Sequence, residues 1–285
     1  MVPLLTFILT HAVFAGPPDA TLDLRKVDFA ARFGKYEGCF VIKEVGTGEM
    51  LFFNEAGCKV RRTPCSTFKI FSSLAALDCG VVSGPDTLLT WDGTPQSRKA
   101  CEQDHTLATA IRDSVVWYFQ VLARKIGPER MQKYLDGCEY GNRDISGGID
   151  KFWLVSSLAI SAIEQVRFME RLYQDKLPFK PATMKTVREM IVLKRGEGDQ
   201  AAASWTFSGK TGTGTQGTDK PMLGWFVGHV ASGGRQFVFA ANARGEGVMG
   251  LDVRDRVFEI LGDLGLVSGT MADPPTSAPA VRVGR

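Results

Sequence analysis

The chain has 285 residues, 44% hydrophobic and 23% charged, with a formal net charge of +3 at pH 7. That composition is ordinary for a folded protein with one large unit or two closely joined ones. Lysine plus arginine (34) nearly balances aspartate plus glutamate (31), and no basic run of five or more occurs, which argues against a nucleic-acid partner.

The opening MVPLLTFILTHAVFAGPPDA holds one apolar run followed by Val13-Phe14-Ala15, a setting that suits cleavage before Gly16. Residues 1–15 are therefore expected to be an export signal, too short to span a bilayer, leaving the mature chain with no stable membrane insertion. GCFVIKEV and EMLFFNE read as a hairpin centred near Thr47-Gly48. STFKIFSSLAALDCG reads as a helix entered after Pro64 and closed by Gly80. HTLATAIRDSVVWYFQVLARKIG continues at helical spacing, followed by PERMQKYLDG and a glycine-rich loop, YGNRDISGGIDKFW. Helical patterns resume in SAIEQVRFMERLYQD and ATMKTVREMIVL.

The pattern then changes. SWTFSGKTGTG, MLGWFVGHVAS and RQFVFAANAR alternate and are rich in aromatic and β-branched residues, as strands are, and DVRDRVFEILGDLG closes as a helix. The expected fold is α/β (α+β): an antiparallel sheet flanked by helices and built from both ends of the chain. Residues 22–65 and 203–267 supply the sheet part and 66–202 an inserted, mostly helical part. A ligand crevice is expected between the two. Residues 16–267 make the single unit, and the small, polar, proline-containing tail 268–285 is expected to be disordered.

Six cysteines, at 39, 58, 65, 79, 101 and 138, form no Cys-x-x-Cys, and the three histidines, at 11, 105 and 229, are too few for a metal site. Cys39 and Cys58 bracket the predicted hairpin, and a disulfide between them is expected if the chain is exported. Cys65 and Cys79 read as small buried hydrophobes.

PCSTFK places Ser66 three residues before Lys69 in an apolar helix, where the two share a face. Alone this spacing is weak: about one Ser-x-x-Lys is expected by chance in such a chain, and a helix-start serine beside a snorkelling lysine explains it equally well. The company it keeps is more specific. Ser114 in DSVV, Tyr140 to Asn142 (YGN), DKFWL and GKTGTG follow in that order.

Together these motifs resemble those of the class D serine β-lactamases, the oxacillinase family, from about Gly38 to Leu264. The resemblance implies the penicillin-recognising fold shared by serine β-lactamases and penicillin-binding proteins. It also agrees with elementary chemistry: a serine hydroxyl needs a base, and a protonated lysine is none. Keeping a lysine neutral near pH 7 costs about 4–5 kcal/mol unless burial favours the uncharged amine. Phe68, Val116, Trp153 and Leu154 are the candidate apolar wall.

In that family the neutral amine takes up carbon dioxide. The resemblance thus implies that Lys69 becomes N6-carboxylysine, a base for both acylation and deacylation of Ser66, with carbon dioxide or bicarbonate required and no other cofactor. It further implies that Trp153 hydrogen-bonds the carbamate, while Val116 and Leu154 limit stray water. Ser114 relays a proton to the leaving nitrogen. Lys210, Thr211, Gly212 and Thr213 line the substrate, with the backbone N–H groups of Ser66 and Thr213 as oxyanion hole. Arg254 binds the substrate carboxylate in preference to Arg244, and Tyr140 and Asn142 shape the pocket loop. Two departures from the family stand out: Cys65 where alanine is frequent, a thiol that could be exposed near the site, and the small Thr213-Gly214-Thr215 where a bulky residue is frequent.

The expected function is a periplasmic or secreted serine β-lactamase acting on penicillins, its partner a small-molecule β-lactam, with a homodimer left open. A β-lactam sensor domain, acylated without turnover, and a D-alanyl transpeptidase or carboxypeptidase are the alternatives. Breadth towards carbapenems is not legible.

Overall fold

The computed structural model describes residues 21–197, 204–215 and 222–271. The expected export signal and the tail beyond Met271 lie outside them.

A short helix α1 (Phe29–Phe33), capped by Asp28 Oδ1 accepting from Ala31 N at 3.0 Å, leads into β1 (Glu37–Glu44) and β2 (Met50–Phe53). These two form the predicted hairpin, Phe40 opposite Phe53 and Lys43 opposite Met50. Helix α2 (Glu55–Lys59) and a 3-10 turn (Cys65–Phe68) follow, the turn running directly into α3 (Lys69–Asp78). A small hairpin, β3 (Leu88–Leu89) with β4 (His105–Thr106), precedes α4 (Leu107–Arg112), α5 (Val116–Ile126) and α6 (Pro128–Cys138). Helices α7 (Ala162–Tyr173) and α8 (Pro181–Met190) complete the helical part. The chain then supplies β5 (Val192–Glu197), β6 (Ser204–Thr215), β7 (Met222–Ser232), β8 (Arg235–Gly245) and α9 (Gly250–Asp263).

The main sheet is antiparallel with six strands in the order β2-β1-β8-β7-β6-β5. β8 pairs with β1, Cys39 opposite Asn242, so the two ends of the chain close one sheet as expected. Strand alternation then sorts the core into two layers. Val41, Trp225, Val227 and Ala240 face the helical part, while Phe40, Ile42, Phe226 and Phe239 face α1 and α9. Each fully buried Phe or Val contributes roughly 1.5–3 kcal/mol, so both layers help to hold the helices on the sheet.

Three expectations are corrected. The helix predicted through Asp113–Val116 is broken: Ser114 adopts φ 56°, and α4 and α5 are separate. The sheet part begins earlier than residue 203, because the chain after α8 turns at Ile191 and enters the sheet as β5, with Val192 opposite Ser208. The Cys39–Cys58 bridge is absent, both being free thiols. Cys58 lies on α2 and not at a strand end, and its Sγ points at the carbonyls of Phe40 (3.4 Å) and Phe53 (3.6 Å). Cys65 is buried as expected, whereas Cys79 is only partly so.

Candidate active site

Pro64 sets the geometry. Its ring fixes φ at −69°, and its carbonyl accepts from Thr67 N (3.2 Å) and Thr67 Oγ1 (2.7 Å), winding Cys65–Phe68 tightly enough to be 3-10. Side chains three apart eclipse in such a turn. Lys69 Nζ accordingly lies 2.6 Å from Ser66 Oγ.

Lys69 is wholly buried, its Nζ 5.5 Å from the centre of the Phe119 ring. Next to it in the chain, Phe68 stacks on Trp153 (5.4 Å) and meets Phe152 edge-on (5.2 Å). Burial pushes the Lys69 pKa well below the ordinary lysine value, and the charge of Lys210 pushes it in the same direction. No ion pair with a carboxylate offsets the lost hydration among the described residues, so burial favours the neutral amine. A neutral amine within hydrogen-bond reach of a serine hydroxyl is the arrangement of a nucleophile and its base.

Lys210 comes from β6. The last residue of that strand paired with β5 is Ser208, so from Lys210 onward the edge of β6 has no strand neighbour on that side among the described residues. The free edge lies against the Cys65–Phe68 turn: a Cβ at Gly212 would meet Pro64 O at 2.9 Å, so only a glycine lets the backbones approach this closely. Gly250, the first residue of α9, packs on Gly212 from behind, and its N–H donates to Thr213 Oγ1 at 2.8 Å.

Lys210 Nζ reaches Ser114 Oγ at 3.0 Å and Thr211 Oγ1 at 3.3 Å. Burial, helped by the charge of Arg98, pushes the Lys210 pKa down to about 7. The break between α4 and α5 is what turns Ser114 towards β6. Arg98 Nη2 donates to the carbonyls of Asp113 and Ser114, pinning that break. Val116, the first residue of α5, is half-buried.

The Trp153 indole is buried, yet its Nε1 has no acceptor among the described residues. Leu154 beside it is half-buried and packs on the helical core. Cys65, expected as a thiol that could be exposed, is buried and its pKa is pushed up to about 12, so it stays a protonated, packed sulfur.

Residues 38–261 match the family described as penicillin binding protein transpeptidase domain. The chain is 37% identical over 247 residues to the probable β-lactamase YbxI of Bacillus subtilis, a match covering 87% of this chain and 88% of that one. It belongs to the class D serine β-lactamases. A solved class D β-lactamase from Bacillus subtilis superposes on this class D enzyme with TM-score 0.78 at 37% identity, over 87% of this chain and all of the other. The C-terminal domain of the Bacillus licheniformis BlaR penicillin receptor gives TM-score 0.79 at 33% identity, over 85% of this chain and 96% of that domain. The regulatory protein BlaR1 from the same organism is longer, and the match spans 41% of it.

In this class D enzyme Ser66 contacts Lys69, and Ser114 contacts Lys210, directly. Arg254, on the Gly250 face of α9 one turn on, is buried and its Nε donates to Asp255 Oδ1 at 2.7 Å. Its rival Arg244 pairs instead with Glu37 across β1 and β8, at 3.5 Å. Tyr140 packs among Phe68, Phe71 and Phe168, and Asn142 ties its loop to Ser157 O (2.8 Å) and Ala159 N (2.9 Å), both structural tasks. Three residues at the site escaped the sequence reading: Phe119, Arg98 and Thr63. The latter two act through backbone groups, which carry no motif.

Proposed function

We propose that the enzyme opens the β-lactam amide of penicillins through an acyl-Ser66 intermediate, with carboxylated Lys69 as the base of both half-reactions. The observation that carries this reading is the fully buried Lys69 amine, its pKa held well below the ordinary lysine value, 2.6 Å from Ser66 Oγ. Only an uncharged amine can take up carbon dioxide, and burial is what leaves it uncharged.

The residues present suit such a group. Trp153 Nε1 is a buried N–H in need of an acceptor, and Ser66 Oγ can donate a second hydrogen bond. When carboxylated, the Lys69 side chain supplies a carboxylate-like base on a long stem. Ser66 Oγ then gives up its proton as it attacks the lactam carbonyl, and the backbone N–H groups of Ser66 and Thr213 bear the developing oxyanion, each worth about 3 kcal/mol. As the C–N bond breaks, the lactam nitrogen takes a proton through Ser114, which Lys210 holds at 3.0 Å. Thr211, protonated Lys210 and Arg254 bind the substrate carboxylate. Val116 and Leu154 limit water until one molecule attacks the acyl ester and frees Ser66.

Purified enzyme should hydrolyse oxacillin or a chromogenic cephalosporin, lose activity when stripped of carbon dioxide at low pH, and regain it with bicarbonate. Labelling with 13C-bicarbonate should give a carbamate resonance that Lys69→Ala lacks. Turnover without that resonance would refute the carboxylation. Export to the periplasm or medium belongs to the same reading, supported by the apolar run and Val13-Phe14-Ala15 ahead of Gly16.

A second reading rests on the likeness to the BlaR receptor domain: Ser66 is acylated and barely deacylated. A penicillin adduct on Ser66 that persists for hours by intact mass would favour the sensor. An adduct gone within minutes would favour the hydrolase.

A further inference from the structure

We propose that Thr63 is a positioning residue that sets the Trp153–Val155 turn and, through it, how strongly carbon dioxide is held at Lys69. The second half of this statement rests on the carboxylation reading above; the first does not.

Thr63 is buried one residue ahead of the Pro64 turn. Its Oγ1 donates to Trp153 O at 3.0 Å and accepts from Val155 N at 3.1 Å, so one hydroxyl brackets Leu154 from both sides across a sequence separation of 92 residues. Thr63 itself cannot follow the turn. Its carbonyl accepts from Trp225 Nε1 of β7 at 3.0 Å, and its neighbour Arg62 exchanges both backbone hydrogen bonds with Ile160 (3.0 and 2.9 Å). The hydroxyl therefore refers the turn to the sheet and to the chain that carries Ser66 and Lys69.

The turn needs such a reference. Val155 has φ 47°, a left-handed conformation that β-branched residues avoid, and the residue is 43% exposed. Strain of this kind persists only where the surroundings over-determine it. The turn's own bond, Leu154 N to Lys151 O at 2.7 Å, does not include Val155. Two consequences follow from the turn's conformation. It aims the Trp153 indole, whose Nε1 is a buried donor awaiting an acceptor, and it places Val155 Cγ2 beside Gly214 of β6. A hydroxyl at position 63 suits both bonds because a single oxygen donates to one backbone group and accepts from the other.

The test compares Thr63→Val, which keeps the shape and loses both bonds, with Thr63→Ser, which keeps the hydroxyl. The readouts are the bicarbonate concentration giving half-maximal turnover and the 13C carbamate signal at Lys69. Thr63→Val should raise the half-activating bicarbonate at least tenfold and broaden or shift the Trp153 indole 15N–1H resonance, with far less change in kcat at saturating bicarbonate. Thr63→Ser should stay within twofold of the parent. Equal bicarbonate requirement in folded Thr63→Val, or equal impairment in both variants, overturns the proposal. Should the valine variant not fold, hydrogen exchange in the unaltered protein decides: the Val155 amide must be protected at least a hundredfold over an unstructured peptide, and a faster rate overturns the bracket. Absence of any carbamate in the parent would instead sink the carboxylation reading, while the exchange and indole measurements still judge Thr63.

Discussion

Cys65 and Gly214 occupy opposite sides of one tight contact: a Cβ at position 214 would stand 2.5 Å from Cys65 Sγ and 3.1 Å from Val155 Cγ2. The backbone of β6 is thereby held against the turn that carries Ser66. Gly214→Ala should lower kcat/KM about tenfold or more by pushing that edge away. Cys65→Ala alone should be nearly neutral, and the double variant should recover most of the loss. Additive losses in a double-mutant cycle would show that the sulfur is not what limits position 214.

Ser66→Ala should abolish the covalent β-lactam adduct. Lys69→Ala should cut turnover by roughly 10²–10⁴, the usual worth of a positioned base, without rescue by bicarbonate. Steady-state rates and intact mass check both. A Lys69→Ala variant with normal turnover would remove the amine from the chemistry.

The Lys210 amine, with a pKa of about 7, loses its proton as pH rises through neutrality. Its attraction for a substrate carboxylate is therefore present below about pH 7 and fades above it. KM for a penicillin should rise between pH 6 and pH 8.5, with kcat moving less. Arg98 is one of the groups that lower this pKa. Arg98→Gln should consequently shift the inflection in KM to higher pH. A flat KM across this range would contradict the carboxylate-binding role.

The same lysine couples pH to stability. Its folded pKa lies below its unfolded one, so between about pH 7 and pH 10.4 the unfolded chain binds more protons and stability rises with pH. Below pH 7 the penalty is fully present, at most about 4–5 kcal/mol. Lys210→Met should melt higher than the parent at pH 6, and the gap should narrow towards pH 10. A gap independent of pH would mean the amine is not held discharged.

All six cysteines are free, Cys39 and Cys58 included. Thiol titration of the unfolded protein without reductant should count six, and added reductant should leave the melting temperature unchanged. A count of four with a fall in melting temperature on reduction would restore the bridge.

The hairpin of β1 and β2, the strands β6 to β8 and helix α9 were legible because period-two and period-3.6 patterns are local properties of the chain. The Ser66 and Lys69 pair was legible for the same reason, since one helical turn brings residues three apart together wherever it forms. The break at Ser114 was not, because Val115 and Val116 continue a helical pattern that only the pull of Lys210 and Arg98 interrupts. The entry into β5 was missed because Val192 and Leu193 suit the end of a helix as well as a strand, and only pairing with β6 chooses.

By itself, the sequence determined which side chains are available to the chemistry and that both chain ends share a sheet, because identity and periodicity are written residue by residue. The tertiary structure alone decided that burial pushes the Lys69 pKa well down, that the Lys210 pKa falls to about 7 and that Thr63 bonds the Trp153 turn. Those properties depend on burial and on contacts between segments far apart in the chain, and neither dielectric nor distance is a property of a local stretch of residues.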